Sequence, residues 1–184
     1  QDIKNACSIL WITPMRALAK DTTDQLISIA EDLKFKGEIL FRTSDTSSAK
    51  RSKIKQKLPQ VLVTTPESFS LLLTYPDVIN QLKSIQYCVV DEWHELLHTK
   101  RGVQTQLCIS RLVQCSPECN IWGLSATLAD ISDAKHQLLF SIEESLLITR
   151  YNQIKFKSLT HLDLIKEFDG TLPILKKEDA ADGH

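Results

Sequence analysis

The chain has 184 residues, 42% of them hydrophobic and 24% charged, which is enough for one domain with a buried core. Its formal net charge of −1 excludes a uniformly basic nucleic-acid coat, though not a local basic face. No apolar run approaches the roughly 20 residues of a membrane-spanning helix and no signal peptide opens the sequence, so no membrane and a cytoplasmic, reducing setting are the default expectations.

In chain order, apolar runs suited to strands lie at 7–13 (CSILWIT), 37–42 (GEILFR), 60–65 (QVLVTT), 85–91 (IQYCVVD), 120–126 (NIWGLSA) and 145–149 (SLLIT). Between them, helix-like segments fall at 15–34, 48–58, 67–74, 102–114 and 130–140. In the first of these, Leu18, Leu26, Ile29 and Leu33 stand at helical spacing. Most of the strand candidates are nearly continuous apolar runs, which is how strands covered on both faces read. Such alternation predicts an α/β fold: a parallel sheet with helices on both faces and right-handed crossovers that bring the strand ends to one ligand-binding rim. Beyond about residue 150 the pattern weakens. The chain begins at Gln1 and its only methionine is Met15, so the expectation is a piece of a longer protein.

The five cysteines, Cys7, Cys88, Cys108, Cys115 and Cys119, form no CxxC pair. Cys7 and Cys88 lie in apolar runs, where a free thiol behaves as a small hydrophobe. Cys115 and Cys119 have the spacing of half a zinc site, without a second half.

The most informative stretch is IQYCVVDEWHELL, residues 85–97, where an apolar strand runs into Asp91 and Glu92, with His94 following. An acid at such a strand end can hold Mg²⁺ through water beside bound phosphates, and a second carboxylate can deprotonate an attacking water. The plainer reading is that Asp91 caps a helix. A rival chemistry overlaps: His94-Glu95-Leu96-Leu97-His98 matches the H-E-x-x-H zinc-hydrolase pattern, with Glu118, His136 and Glu143 as candidates for a third ligand.

VVDEWHEL resembles the Walker B motif of superfamily 2 DExH-box helicases, and it stands in order with ITPMRALAKD (12–21), RTSDT (42–46), VTTPESFSLLL (63–73) and GLSATL (123–128), which resemble motifs Ia, Ib and III. The longer phrase DEWHELLHTKRGVQTQL resembles the large-helicase-related group, and within it the ligase-associated DEXH-box DNA helicases. The resemblance spans about residues 8–140. It implies a RecA-like domain with ATP and Mg²⁺ as cofactors, Asp91 as the Mg²⁺ ligand through water, and Glu92 as the activator of water. It also implies that His94 links the ATP site to motif III, where Ser125, Ala126 and Thr127 pass nucleotide state to the nucleic acid. Thr13, Pro14 and Arg16, with Thr64, Thr65, Pro66 and Ser68, would lie along the phosphates of a DNA strand. Hydroxyls, backbone N–H groups and one arginine suit such a sequence-blind grip, although Thr-Pro also serves as a turn and Thr65 or Ser68 as a helix cap. Two positions depart from the family pattern: His98 replaces a small residue and Ser44 replaces a glycine.

None of the five glycines begins a GxxxxGK[ST] phosphate loop. In the family that loop precedes motif Ia, and a second motor domain with an arginine finger follows. Residues 1–150 are therefore expected to be an incomplete first RecA-like motor domain, and 151–184 an extension, the start of an interdomain linker or a polar tail. The implied function is an ATP-dependent helicase moving 3′ to 5′ on single-stranded DNA in repair, with single-stranded or duplex DNA and a DNA ligase among its partners. By itself the chain should hydrolyse ATP negligibly. The competing readings are a non-catalytic remnant that binds nucleic acid or a partner, and the zinc hydrolase.

Smaller signals remain. Lys50, Arg51, Lys53, Lys55 and Lys57 form a basic cluster that reads as a solvated helix face or a DNA contact. Trp11 and Trp122 have apolar neighbours, and Trp93 reads as core or as a base-stacking side chain. Lys100, Arg101 and Gln104 belong to the family phrase without an evident mechanism.

Overall fold

A computed structural model describes residues 6–125, together with Leu138 and Lys155–Phe156. The first half alternates strand and helix: β1 (Ile9–Ile12), α1 (Arg16–Asp32), β2 (Ile39–Arg42), α2 (Ser48–Gln56), β3 (Val61–Thr64) and α3 (Pro66–Leu72). It continues through α4 (Pro76–Leu82), β4 (Tyr87–Val90), α5 (Trp93–Leu96), α6 (Lys100–Cys115), β5 (Asn120–Gly123) and β6 (Lys155–Phe156). The sheet order is β2-β3-β1-β4-β5-β6, and every adjacent pair is parallel.

The strands read as unbroken apolar runs because both faces are covered. Trp11, Val61, Val63, Val89 and Trp122 join one core with Ala19, Leu26 and Ala30 of α1. Leu10, Ile12, Leu62, Cys88, Val90 and Ile121 join the other, with Ile54, Phe69, Leu72, Val78, Leu82, Leu96, Ile109 and Leu112 from α2 to α6. The period-2 alternation of strand side chains sorts consecutive residues between these two cores.

Helix α1 buries a different stripe from the one its leucines suggest. Ala19, Thr22, Thr23, Leu26 and Ala30 face the sheet, whereas Leu33 is 43% exposed and Leu18 and Ile29 are half-buried. Small side chains let the helix lie close on the strands, and Thr23 satisfies its hydroxyl by donating to Ala19 O at 2.7 Å. Helix α4 has no counterpart in the hydrophobic pattern. It is seven residues long and starts on Pro76, a residue favoured at a first helical position, and Val78 and Leu82 are its buried pair.

Thr99 starts α6, its hydroxyl accepting from Gly102 N at 3.0 Å. All five cysteines are free. Burial pushes the Cys7 thiol up to about 12 and the Cys108 thiol up to about 11, as befits core hydrophobes. Among the described residues no helix is long and apolar enough to cross a membrane. The strand expected at 145–149 and the helix at 130–140 fall outside the described residues, apart from the buried Leu138. Strand β6 lies beyond the point near 150 where the hydrophobic pattern fades.

Candidate functional site

Because every strand is parallel, the segments after β1, β3, β4 and β5 emerge on one rim. The ladder runs on past the strand ends. Thr13 N donates to Thr64 O at 2.9 Å, Asp91 N to Ile12 O at 2.8 Å and Leu124 N to Val90 O at 2.8 Å. Trp93 N closes the row by donating to Leu124 O at 2.9 Å. Asp91, Glu92 and Ser125 are thereby fixed beside one another by backbone.

Asp91 is 6% exposed. Its Oδ2 accepts from the Trp11 indole Nε1 at 3.2 Å, and its Oδ1 accepts from the Glu92 N–H at 3.0 Å. Trp11 is thus a core residue with a second task, holding the acid's rotamer, which the apolar sequence around it does not announce. Glu92 sits at φ 46°, ψ 47°, a left-handed conformation that costs a non-glycine residue about 1–2 kcal/mol. The turn sets Glu92 against His94: Glu92 Oε2 lies 3.3 Å from His94 Nδ1. That oxygen is buried and accepts no hydrogen bond. His94 Nδ1 is also 2.9 Å from Ser125 Oγ, and its Nε2 is 3.4 Å from Glu95 Oε1. The link expected between His94 and the segment after β5 is therefore a direct hydrogen bond. Ala126 and Thr127, expected to act with Ser125, lie outside the described residues.

The grip candidates stand on the other half of the rim. Arg16 is exposed and donates to Asp45 Oδ1 at 2.6 Å and to Ser44 Oγ at 3.3 Å, tying α1 to the β2–α2 loop. Ser44 is not among the positive-φ residues, so the loop does not require glycine there. Thr43 N donates to Thr46 Oγ1 at 2.9 Å and closes that loop on itself. Thr13, Thr64, Thr65 and Ser68 are buried, at 0%, 0%, 2% and 6% exposure, and Pro14 and Pro66 are buried as well. Thr13 Oγ1 donates to Met15 O at 3.1 Å and Thr64 Oγ1 to Arg42 O at 2.7 Å, so both hydroxyls shape the turns from inside. Arg16 is the exposed member of the set.

The H-E-x-x-H pattern does not form a zinc face. Helix α5 ends at Leu96, and Leu97 leaves it at φ −53°, ψ 138°. His98 then adopts φ 57° and lines an open groove of about 450 Å³ with Leu97, Val103 and Gln106. Two histidines four apart share a face only on a continuous helix. Among the described residues no three His, Cys, Asp or Glu side chains group to hold a metal by themselves.

The family phrase after the acids gains a physical basis. Gly102 is required by close approach, since a Cβ there would fall 2.1 Å from Leu96 O. Arg101 pairs with Glu67 of α3, its Nη2 donating to Oε2 at 3.1 Å. Burial pushes the Glu67 carboxyl up, but the hydrogen bond from Arg101 leads a set of contacts that outweighs burial and holds it below its ordinary value. In the basic cluster, Lys53 pairs with Glu38 at 2.8 Å, while Lys50 and Lys55 lie over the Phe41 and Tyr75 rings at 4.4 and 3.7 Å. Trp93 and Trp122 are core residues at 1% and 4% exposure, which removes Trp93 as a base-stacking candidate. Arg42, buried at the end of β2, is the functional candidate that sequence reasoning passed over.

The acidic turn fits a divalent cation bound through water. The Asp91 carboxylate is oriented by the Trp11 indole and the Glu92 N–H, and the Glu92 side chain beside it is 35% exposed, so two oxygen-donor groups of the kind Mg²⁺ takes stand together at the rim.

Comparison with known proteins places this geometry. A model of the DEAD/DEAH box helicase family matches residues 1–134. The ATP-dependent helicase Lhr-Core protein 2 of Thermococcus barophilus is 33% identical over 135 residues, covering 68% of this chain and 16% of that protein. The Lhr helicase/uracil glycosylase of Escherichia coli is 34% identical over 136 residues, covering 68% of this chain and 9% of that protein. Among solved structures, Mycobacterium smegmatis helicase Lhr bound to ssDNA and AMP-PNP superposes with a TM-score of 0.63 at 30% identity, over 71% of this chain and 18% of that one. The DUF1998 helicase MrfA, at 19% identity and a TM-score of 0.66, shows the same fold. The chain spans about a sixth or less of the length of these curated relatives. These matches agree with the large-helicase-related resemblance, and with the family model covering most of its length the chain belongs to the DEAD/DEAH box helicases.

Proposed function

We propose that this chain is part of the first motor domain of an ATP-dependent DNA helicase or translocase that moves 3′ to 5′ on single-stranded DNA. The observation that carries the reading is the His94–Ser125 hydrogen bond of 2.9 Å. It connects the acidic turn to the segment after β5, the connection that a motor needs between hydrolysis and grip. Asp91 would hold Mg²⁺ through water, and the ion would neutralise charge on the transferred phosphoryl group. Glu92 would accept the proton of the attacking water as the new oxygen–phosphorus bond forms and the bond to the leaving diphosphate breaks. The Glu92 side chain is 35% exposed, which leaves its carboxylate within reach of water. The rim residues Thr13, Pro14, Arg16, Thr64, Thr65, Pro66 and Ser68 would carry the phosphate grip. Arg16 would act from the surface and the buried threonines by setting the loop backbones whose N–H groups meet phosphate oxygens.

DNA as the strand follows the single-stranded DNA named for the solved Lhr structure. A repair role beside a DNA ligase and a cytoplasmic setting rest on the phrase DEWHELLHTKRGVQTQL and on default expectation. The 184 residues contain no GxxxxGK[ST] run, so the chain alone should turn over ATP negligibly. That same observation favours the second reading, a non-catalytic remnant that binds nucleic acid or a partner. Hydrolysis assays with and without single-stranded DNA, on this chain and on the longest protein encoded around it, separate the two. DNA-stimulated turnover confined to the longer protein supports the motor. No turnover in either supports the remnant.

A further inference from the structure

Arg42 occupies the last position of β2, in register with Thr64 of β3. It is 3% exposed. Its Nη1 donates to Ser68 O at 2.7 Å, and its own carbonyl accepts from Thr64 Oγ1 at 2.7 Å. One residue therefore ties the end of β2 to two neighbours, to α3 through its side chain and to the last residue of β3 through its backbone. Its Nε is buried and has no hydrogen-bond partner.

Carboxylates on the adjoining segments are committed elsewhere: Asp45 to Arg16, Glu38 to Lys53 and Glu67 to Arg101. No ion pair among the described residues includes Arg42. Burial first, and the neighbouring Arg51 charge to a smaller degree, hold its pKa below the usual arginine value despite Tyr75. A buried cation without a counter-charge is costly. A plain structural tie between two loops is served as well by a neutral donor, so the charge itself calls for a reason.

Its position supplies one. The guanidinium holds Ser68 in the first turn of α3, and Arg42 leads directly into the β2–α2 loop, which Arg16 grips through Ser44 and Asp45. Both belong to the rim proposed to carry a nucleic-acid strand. We infer that Arg42 is a positioning residue for a phosphodiester strand: it locks the Ser68 segment against β2, and a backbone phosphate docked on the rim provides its missing counter-charge. This rests on the nucleic-acid reading above. Arg42 does not itself touch the strand; it acts through the first turn of α3, which it holds, and through the field of its charge.

The test uses the 184-residue chain and a fluorescein-labelled oligothymidylate, with binding followed by anisotropy over a series of salt concentrations and folding by thermal melting. For Arg42→Met the expectation is about tenfold weaker binding and a shallower salt dependence, by less than the one unit of slope that a direct phosphate contact carries. The melting temperature should stay within about 2 °C of the wild type or rise, because an uncompensated buried charge has been removed. Arg42→Lys, which keeps the charge and one donor, should recover most of the affinity. Wild-type binding in Arg42→Met overturns the inference. So does a joint fall of affinity and melting temperature that Arg42→Lys does not restore, with the salt slope unchanged, since that is the signature of packing alone. If the wild-type chain itself ignores the oligonucleotide, the nucleic-acid reading fails and takes this inference with it.

Discussion

The two halves of the rim are built in opposite ways. On the β1–β3 side the loops are knitted shut: Arg16 reaches the β2–α2 loop, Thr64 donates to the Arg42 carbonyl while the Arg42 side chain donates to Ser68 O, and Thr43 and Thr46 close a turn. At the β4–β5 side the acidic turn is held in a strained left-handed conformation and keeps one buried carboxylate oxygen without a hydrogen bond. A surface that grips a repeating backbone gains from rigidity, since each loop ordered in advance lowers the entropy lost on binding. A surface that performs chemistry must leave acceptor sites open for water and metal, and it stores strain to do so. The His94–Ser125 hydrogen bond is a side-chain contact between the open half and the segment after β5, beside the backbone bond from Trp93 N to Leu124 O.

Pushing the open half from behind should have the larger effect on folding. Helix α6 touches α5 through Gly102, whose missing side chain admits Leu96 O. Gly102→Ala should force the helices apart and cost about 1–3 kcal/mol, the usual penalty of overpacking. The check is denaturant unfolding, read as a lower midpoint at unchanged slope. A change within about 0.5 kcal/mol would mean that α5 yields freely and that the acidic turn is not braced by α6.

A smaller and opposite effect is expected at His98, which adopts φ 57° where the family pattern carries a small residue. Glycine takes that conformation without steric cost, against some loss of chain entropy on folding. His98→Gly should therefore stabilise the chain by about 0.5–1 kcal/mol, seen as a melting temperature higher by a few degrees. A lower melting temperature would show that the imidazole makes contacts worth more than the strain.

Much of the fold could be read from residues alone because the strands are buried on both faces and so appear as unbroken apolar runs ending on the rim. The acids were legible for the same reason: Asp91 and Glu92 interrupt such a run abruptly. Helix α4 was hidden by its brevity and its proline start. The buried face of α1 could not be read from its apolar spacing, because Leu26 alone of the spaced residues is fully buried and alanines and threonines line the rest. Composition cannot say whether a threonine faces water or core, and here Thr13, Thr64 and Thr65 face inward. Spacing alone also could not show that the helix under H-E-x-x-H stops after four residues. Arg42 escaped notice because an arginine at a strand end ordinarily reads as solvated charge, and only the geometry shows it buried with its side chain on the Ser68 carbonyl of α3.

The central claim is that the acidic turn is the hydrolytic half of a motor, and Glu92→Gln tests it most directly. The measurement is ATP turnover by the longer protein, with saturating single-stranded DNA, for the wild type and this variant. The account predicts a loss of at least about 100-fold, since the variant keeps the size of the side chain and removes its ability to take a proton. Turnover within a factor of about two of the wild type would contradict it, because a general base cannot be dispensed with at so small a cost.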